Sequence, residues 1–155
     1  MSRLEIPIEG KLLSATGDVR LWIKMKVRLK DRVGNWQLEI LRVDTATDIT
    51  TFPAYDARRL GLPMPVHATA GAKHKQTVLQ IRSGYLRFQI VGMDSTEYVT
   101  PCLFLGDPAI PPSGPAATLP RKLLQPLALL GQLRFAMRHD AGDGTPYGML
   151  EVEKK

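Results

Sequence analysis

The chain has 155 residues, 44% hydrophobic and 23% charged, with 21 Lys and Arg against 15 Asp and Glu for a formal net charge of +6. That length fits one domain, residues 1–155, with a substantial core, and the composition is that of an ordinary globular protein. No apolar run approaches the ~20 residues of a membrane helix, and Glu5 and Glu9 interrupt any secretion-signal pattern, so the chain reads as cytoplasmic with no membrane partner.

Residues 1–18 read as an N-terminal leader strand and turn, with Leu4, Ile6 and Ile8 alternating before Gly10 and the bend Thr16-Gly17-Asp18. From Val19 to Leu29 the alternation is strict. Leu21, Ile23, Met25, Val27 and Leu29 face one way and Lys24, Lys26 and Arg28 the other, which is a half-buried strand. Turn residues Lys30–Asn35 follow, and the chain returns through Trp36–Val43. A hairpin thus delivers the chain to Asp44.

After a loop through Asp48, residues Ala54–Leu60 read as a short helix, opened by Phe52-Pro53 and closed by Gly61, with Pro63 beyond. Residues 68–75 are small and polar and suit a mobile hairpin around Gly71. Tyr85–Val91, a turn at Gly92–Ser95 and Tyr98–Leu105 form a strand pair. Five prolines make residues 106–120 a Pro-rich surface loop. Pro126–Gly131 is a helix candidate, with Pro at its start and Gly at its exit. Leu133–Arg138, a turn at 139–144 and Tyr147–Glu153 complete a mainly β chain with one or two short helices.

One cysteine, Cys102, excludes an internal disulfide framework, and its apolar strand-like setting reads as a buried structural thiol. His67, His74 and His139 are isolated from any partner at metal-ligand spacing, so no metal and no cofactor is expected. There is neither a Gly-rich phosphate loop nor a Gly-x-Ser-x-Gly elbow. The basic residues are spread through the chain without aromatic residues interleaved in a basic block. A solvated surface accounts for them, and nucleic acid is not an expected partner.

The chemistry-bearing stretch is Val43-Asp44-Thr45-Ala46-Thr47-Asp48. An acid directly after a strand and before hydroxyl-bearing residues is presented at a tight loop with its oxygens held by neighbouring donors. The alternative local reading makes Asp44 a strand-end turn acid with Thr45 capping, and Asp48 a structural cap.

Asp44-Thr45-Ala46-Thr47-Asp48 resembles the Asp-Thr-Gly-Ala-Asp loop of retropepsin-like (retroviral-type) aspartic proteases. Asp56-Ala57-Arg58-Arg59-Leu60-Gly61-Leu62-Pro63 resembles the segment that follows this loop in bacterial members. Leu123-Leu124-Gln125-Pro126-Leu127 is similar to their Leu-Leu pair before a short helix. The resemblance covers roughly residues 19–140. It implies a retropepsin-like acid-protease β-barrel working as a homodimer on a peptide or protein substrate. In that reading each chain supplies Asp44, the two carboxylates share one proton, and the ionised one activates the attacking water. Thr45 would brace the pair, Ala46 would lie beside it, Asp48 would accept a substrate amide, and a flap at Ala70, Gly71 and Ala72 would close over the peptide.

Three positions depart from the family. Ala46 stands where it has Gly, Gln125 where a helix-opening Gly is expected, and Pro126 where retroviral members carry Arg. Arg42 is a further oddity. Positions i and i−2 share a strand face, so Arg42 is expected on the substrate side, where its charge favours ionised Asp44. It would either select an acidic side chain beside the cleaved bond or mark a weakened enzyme. The alternative function is a catalytically degenerate domain that uses the same cleft for peptide binding or dimerisation.

Overall fold

The computed structural model describes residues 3–13, 15–68, 70–74, 77–114, 119–138 and 146–155, with side chains throughout except at 70–74 and 77–78. Strands predominate: β1 (Arg3–Pro7), β2 (Glu9–Leu12), β3 (Val19–Lys30), β4 (Trp36–Val43), β5 (Thr50–Pro53), β6 (Ala70–His74), β7 (Thr77–Ile90), β8 (Tyr98–Leu105), β9 (Leu123–Leu124), β10 (Leu133–Arg138) and β11 (Met149–Lys154). Helix α1 spans Ala54–Arg59, and a 3-10 helix spans Pro126–Leu129. No helix among the described residues is long and apolar enough to cross a membrane.

The larger sheet runs β2-β3-β4-β9-β5-β8-β7-β6, and β7 pairs back onto Val27–Leu29 of β3. The six strands from β3 to β7 therefore close on themselves, which removes most of the free edge an open sheet would carry. The core lies inside this closure. Met25, Val27 and Leu29 of β3, Leu41 of β4, Phe52 of β5, Phe88 of β7 and Phe104 of β8 are wholly buried there, each side chain contributing about 2–3 kcal/mol of transfer free energy. A second sheet, β1-β11-β10, packs Ile6, Leu133, Leu150 and Val152 against that core. Its outward Glu5 and Glu151 meet Arg3 and Arg138 at 2.5–3.2 Å.

The β3–β4 hairpin forms where the alternation predicts it. Asp31 Oδ1 accepts the amides of Val33 and Asn35 at 3.0 and 2.8 Å, and Gly34 takes φ +87°. That left-handed conformation is one a side chain disfavours. Helix α1 also lies where it was expected and ends on Gly61 at φ +72°, with Leu62 N–H donating to the Ala57 carbonyl. Cys102 is buried, and desolvation pushes its thiol pKa far up.

Several elements differ from the sequence reading. Leu21 shares the face of Met25 but is 50% exposed, because Val19–Trp22 pair only with β2 and lie outside the barrel. Thr50–Pro53 is a strand, paired in parallel with Cys102–Leu105 across fifty residues, where helix-opening residues were expected. Strand β7 begins at Thr77 rather than Tyr85; β8 pairs it as far as Ile81↔Leu105, which carries it through Arg82, Ser83 and Gly84. The helix candidate at Pro126–Gly131 is a single 3-10 turn ending at Leu129, too short to build i→i−4 bonds. Parts of the expected hairpin tip (69, 75–76), the Pro-rich loop (115–118) and the 139–144 turn lie outside the described residues.

Candidate functional site

Asp44 follows the last residue of β4, in a loop that crosses the end of β9. The strands flanking this loop, β4 and β5, do not pair with each other. The two-residue β9 lies between them, parallel to β4 (Arg42↔Leu123, Val43↔Leu124) and antiparallel to β5 (Thr51↔Leu123). The backbone of the Leu-Leu pair holds the loop at its root, with Asp44 N–H donating to the Leu124 carbonyl at 2.9 Å. The Asp44 side chain is half-buried, and its Oδ1 accepts the Ala46 amide at 2.9 Å. That contact is an Asx turn, which turns the chain sharply and fixes the carboxylate's orientation.

The second anchor is Gln125, only 7% exposed. Its Nε2 donates to the Thr47 carbonyl and to that of Thr45 at 3.3 Å. Its Oε1 accepts the Leu127 amide at 2.9 Å, capping the 3-10 helix, and its own amide donates to Thr50 Oγ1 at 3.0 Å. One buried residue, through its side-chain amide and its own backbone N–H, therefore ties the loop, β5 and the 3-10 helix into a single unit. Thr50, wholly buried, spends its hydroxyl on that contact. The sequence reading treated Gln125 only as a departure and passed over Thr50. Pro126 does mark a helix start and so places Gln125 at the N-cap position, but the reach of its side chain to carbonyls 78 and 80 residues away carries no sequence signal.

Beside Asp44 and Thr45 opens a cavity of about 440 Å³. Ile23 and Val43 form one wall, Pro126, Leu127 and Leu130 another, and Phe135, Met137 and Leu150 of the second sheet the third. Leu127, Leu130 and Met137 are 58%, 42% and 58% exposed, so its rim is an apolar surface facing water. The arrangement sets one carboxylate, fixed by backbone amides, at the edge of an apolar recess. Such a group can accept or deliver a proton, or bind a hydrogen-bond donor, next to a hydrophobic side chain.

The other candidate residues are placed as follows. Thr45 and Ala46 are exposed on the loop with Asp44. Asp48 is exposed, and among the described residues its carboxylate has no hydrogen-bond or ionic partner; it makes no capping bond. Arg42 does not pair with Asp44. Its register opposite Lys24 turns it to the outer barrel face, where its guanidinium lies 5.6 Å from the Trp22 ring centroid. Ala70, Gly71 and Ala72 lie on β6, opposite Ile81, Gln80 and Leu79. The antiparallel pairing of β6 with β7 runs from Ala70↔Ile81 to His74↔Thr77, so Gly71 sits within a strand. Of this hairpin's residues with described side chains, none lines the cavity beside Asp44. Among the described residues, no three His, Cys, Asp or Glu side chains converge to hold a metal. Searches against protein-family models, curated proteins and solved structures give no match to this chain.

Proposed function

We propose that the chain is a retropepsin-like aspartic peptidase acting as a homodimer, with Asp44 of each copy forming the catalytic pair. The observation that carries this reading is the setting of Asp44. It lies in a loop rooted by the Leu124 carbonyl, braced from behind by Gln125, and open to an apolar cavity of about 440 Å³. The apolar rim of Leu127, Leu130 and Met137 beside Thr45 supplies a surface that a second copy would cover. The closed barrel with its Asp-bearing loop between β4 and β5 supports the same reading.

In this mechanism two Asp44 carboxylates approach across a two-fold axis. Like charges so close cannot both ionise cheaply, so the two carboxylates share one proton. The ionised member takes a proton from a bound water, which attacks the scissile carbonyl. The protonated member donates to the carbonyl oxygen. No covalent enzyme–substrate bond forms. Asp48, exposed and without a partner among the described residues, is available to a substrate amide. With Arg42 held over Trp22, its proposed influence on an acidic substrate side chain requires it to leave that ring.

The test is digestion of a mixed peptide library from acidic to neutral pH by the native chain and by Asp44→Asn, with mass determination by sedimentation. Cleavage lost in Asp44→Asn, from a dimeric native chain, is the expected result. A dimer in which neither form cleaves would favour the degenerate peptide-binding or dimerisation reading. The observation on that side is Gln125, a bulky buried amide where the family has Gly. A monomer that cleaves nothing would overturn both.

A further inference from the structure

The cations that are dispersed along the sequence are gathered by the sheet register. Along β3 the outward positions read Arg20, Trp22, Lys24, Lys26 and Arg28, basic at every position but one, with an aromatic ring interleaved. Successive outward residues on a strand are about 7 Å apart, so these charges form a regular row. Cross-strand neighbours extend the row sideways: Lys11 lies opposite Arg20, and Arg42 opposite Lys24. Arg28 lies opposite Gln89 across the β3–β7 seam, and Arg87 follows on the same face of β7.

Among the described residues, two carboxylates answer this row. Glu9 pairs with Lys24 at 3.1 Å and Glu97 with Lys30 at 3.0 Å. Arg20, Lys26, Arg28 and Arg87 are exposed and, among the described residues, have no ion-pair partner. Aromatic surface lies among them. Trp22 is part-exposed, with Lys24 and Arg42 at 5.7 and 5.6 Å from its centroid, and Tyr85 is 64% exposed. Leu38 and Ile40, exposed opposite Arg28 and Lys26, add apolar area to the same face.

We propose that this outer face of β4, β3 and β7 binds single-stranded nucleic acid. A row of cations, four of them without an ion-pair partner among the described residues, matches a polymer of repeating negative charge better than an isolated acidic group. Exposed aromatic and apolar side chains between them offer stacking surface to bases, the combination that sequence-tolerant single-strand binders use. Side chains that stack on bases need those bases unstacked and splayed out, which a single strand offers and a duplex does not, and this selects the single strand. The face is distinct from the Asp44 cavity, so this inference stands whether or not the chain is a peptidase.

The test is anisotropy of a fluorescein-labelled 20-nucleotide single-stranded DNA titrated with the full chain at 50 and 200 mM KCl. Four phosphates neutralised give a log–log salt slope of about −3, hence roughly 60-fold weaker binding at the higher salt. Lys26→Ala/Arg28→Ala is expected to weaken binding at 50 mM by about tenfold or more and to halve the slope. Arg58→Ala/Arg134→Ala, exposed cations on α1 and on β10 of the second sheet, should leave both unchanged. Circular dichroism confirms that each variant is folded. Absence of binding at 50 mM, or equal weakening by the two double variants, would overturn the proposal. So would binding to phosphatidylserine vesicles without binding to the oligonucleotide, or competition by polyglutamate as effective as by unlabelled DNA.

Discussion

Replacing Gln125 by Ala removes the side chain that ties the Asp44 loop to the barrel. Two donations, to the Thr45 and Thr47 carbonyls, and one acceptance, from Leu127 N–H, are lost together. Each such bond contributes about 1 kcal/mol net. The loop carbonyls belong to exposed or half-buried residues and can regain water, which limits the total to about 2–3 kcal/mol. In a domain of this size about 1 kcal/mol moves the thermal midpoint by about 3 °C, so a fall of about 6–9 °C is expected by circular dichroism. Hydrogen exchange at the amides of Ala46–Ile49 should quicken in parallel. Gln125→Glu refines the test. It keeps the acceptor for Leu127 but turns a carboxylate oxygen towards two carbonyls, so it should cost at least as much as Ala at pH 7. It should partly recover below about pH 4, where a protonated carboxyl donates again. A Gln125→Ala protein within about 0.5 kcal/mol of native, the ordinary range for surface changes, with unchanged loop exchange, would show that the clamp carries no stability.

Further outcomes follow from the same structure. Asp44→Asn should leave the thermal midpoint within about 2 °C of native, since a change under 1 kcal/mol is expected; an Asn Oδ1 still accepts the Ala46 amide. A larger fall would mean that the charge itself holds the loop. Gly92→Ala should destabilise by about 1 kcal/mol more than Gly34→Ala in urea unfolding. Both need a left-handed backbone, but a Cβ at Gly92 meets Leu4 Cδ1 at 2.9 Å while Gly34 faces open space. Glu151 is held below its ordinary pKa of 4.5 by hydrogen bonds from Arg138 and then Arg3. Its contribution is therefore complete above that value and disappears as pH falls through the folded-state pKa. The urea midpoint of native protein should exceed that of Glu151→Gln at pH 7, and the gap should close near pH 2; a gap that persists there would refute the assignment. Cys102, buried with its thiol pKa pushed far up, should resist iodoacetamide at pH 8 until the chain is unfolded, whereas modification of the native protein would refute its burial.

What was legible in the sequence was local. The β3–β4 hairpin declared itself through period two and the Asp31–Asn35 turn, and α1 through its Pro and Gly boundaries. The position of Asp44 at a strand end followed from these. A two-residue strand such as Leu123-Leu124 has no periodicity to read, and β5 owes its existence to β8, about fifty residues away. The same non-locality hid the role of Gln125, whose bonding partners lie on the far side of the chain. It also misdirected the reading of Arg42. Strand parity puts residues 42 and 44 on one side, but β4 ends at Val43, so parity no longer applies at Asp44.

By itself the sequence determined which segments alternate, where the chain must turn, and that a single acid opens a hydroxyl-rich loop. These depend on steric preference and hydrophobic period within a few residues. Tertiary structure decided which strands close the barrel and what braces the Asp44 loop. It also decided that β3's alternate cations share a face with Arg42 and Arg87. Pairing register is set by burial of the whole sheet face, and only the complete set of strands supplies that constraint.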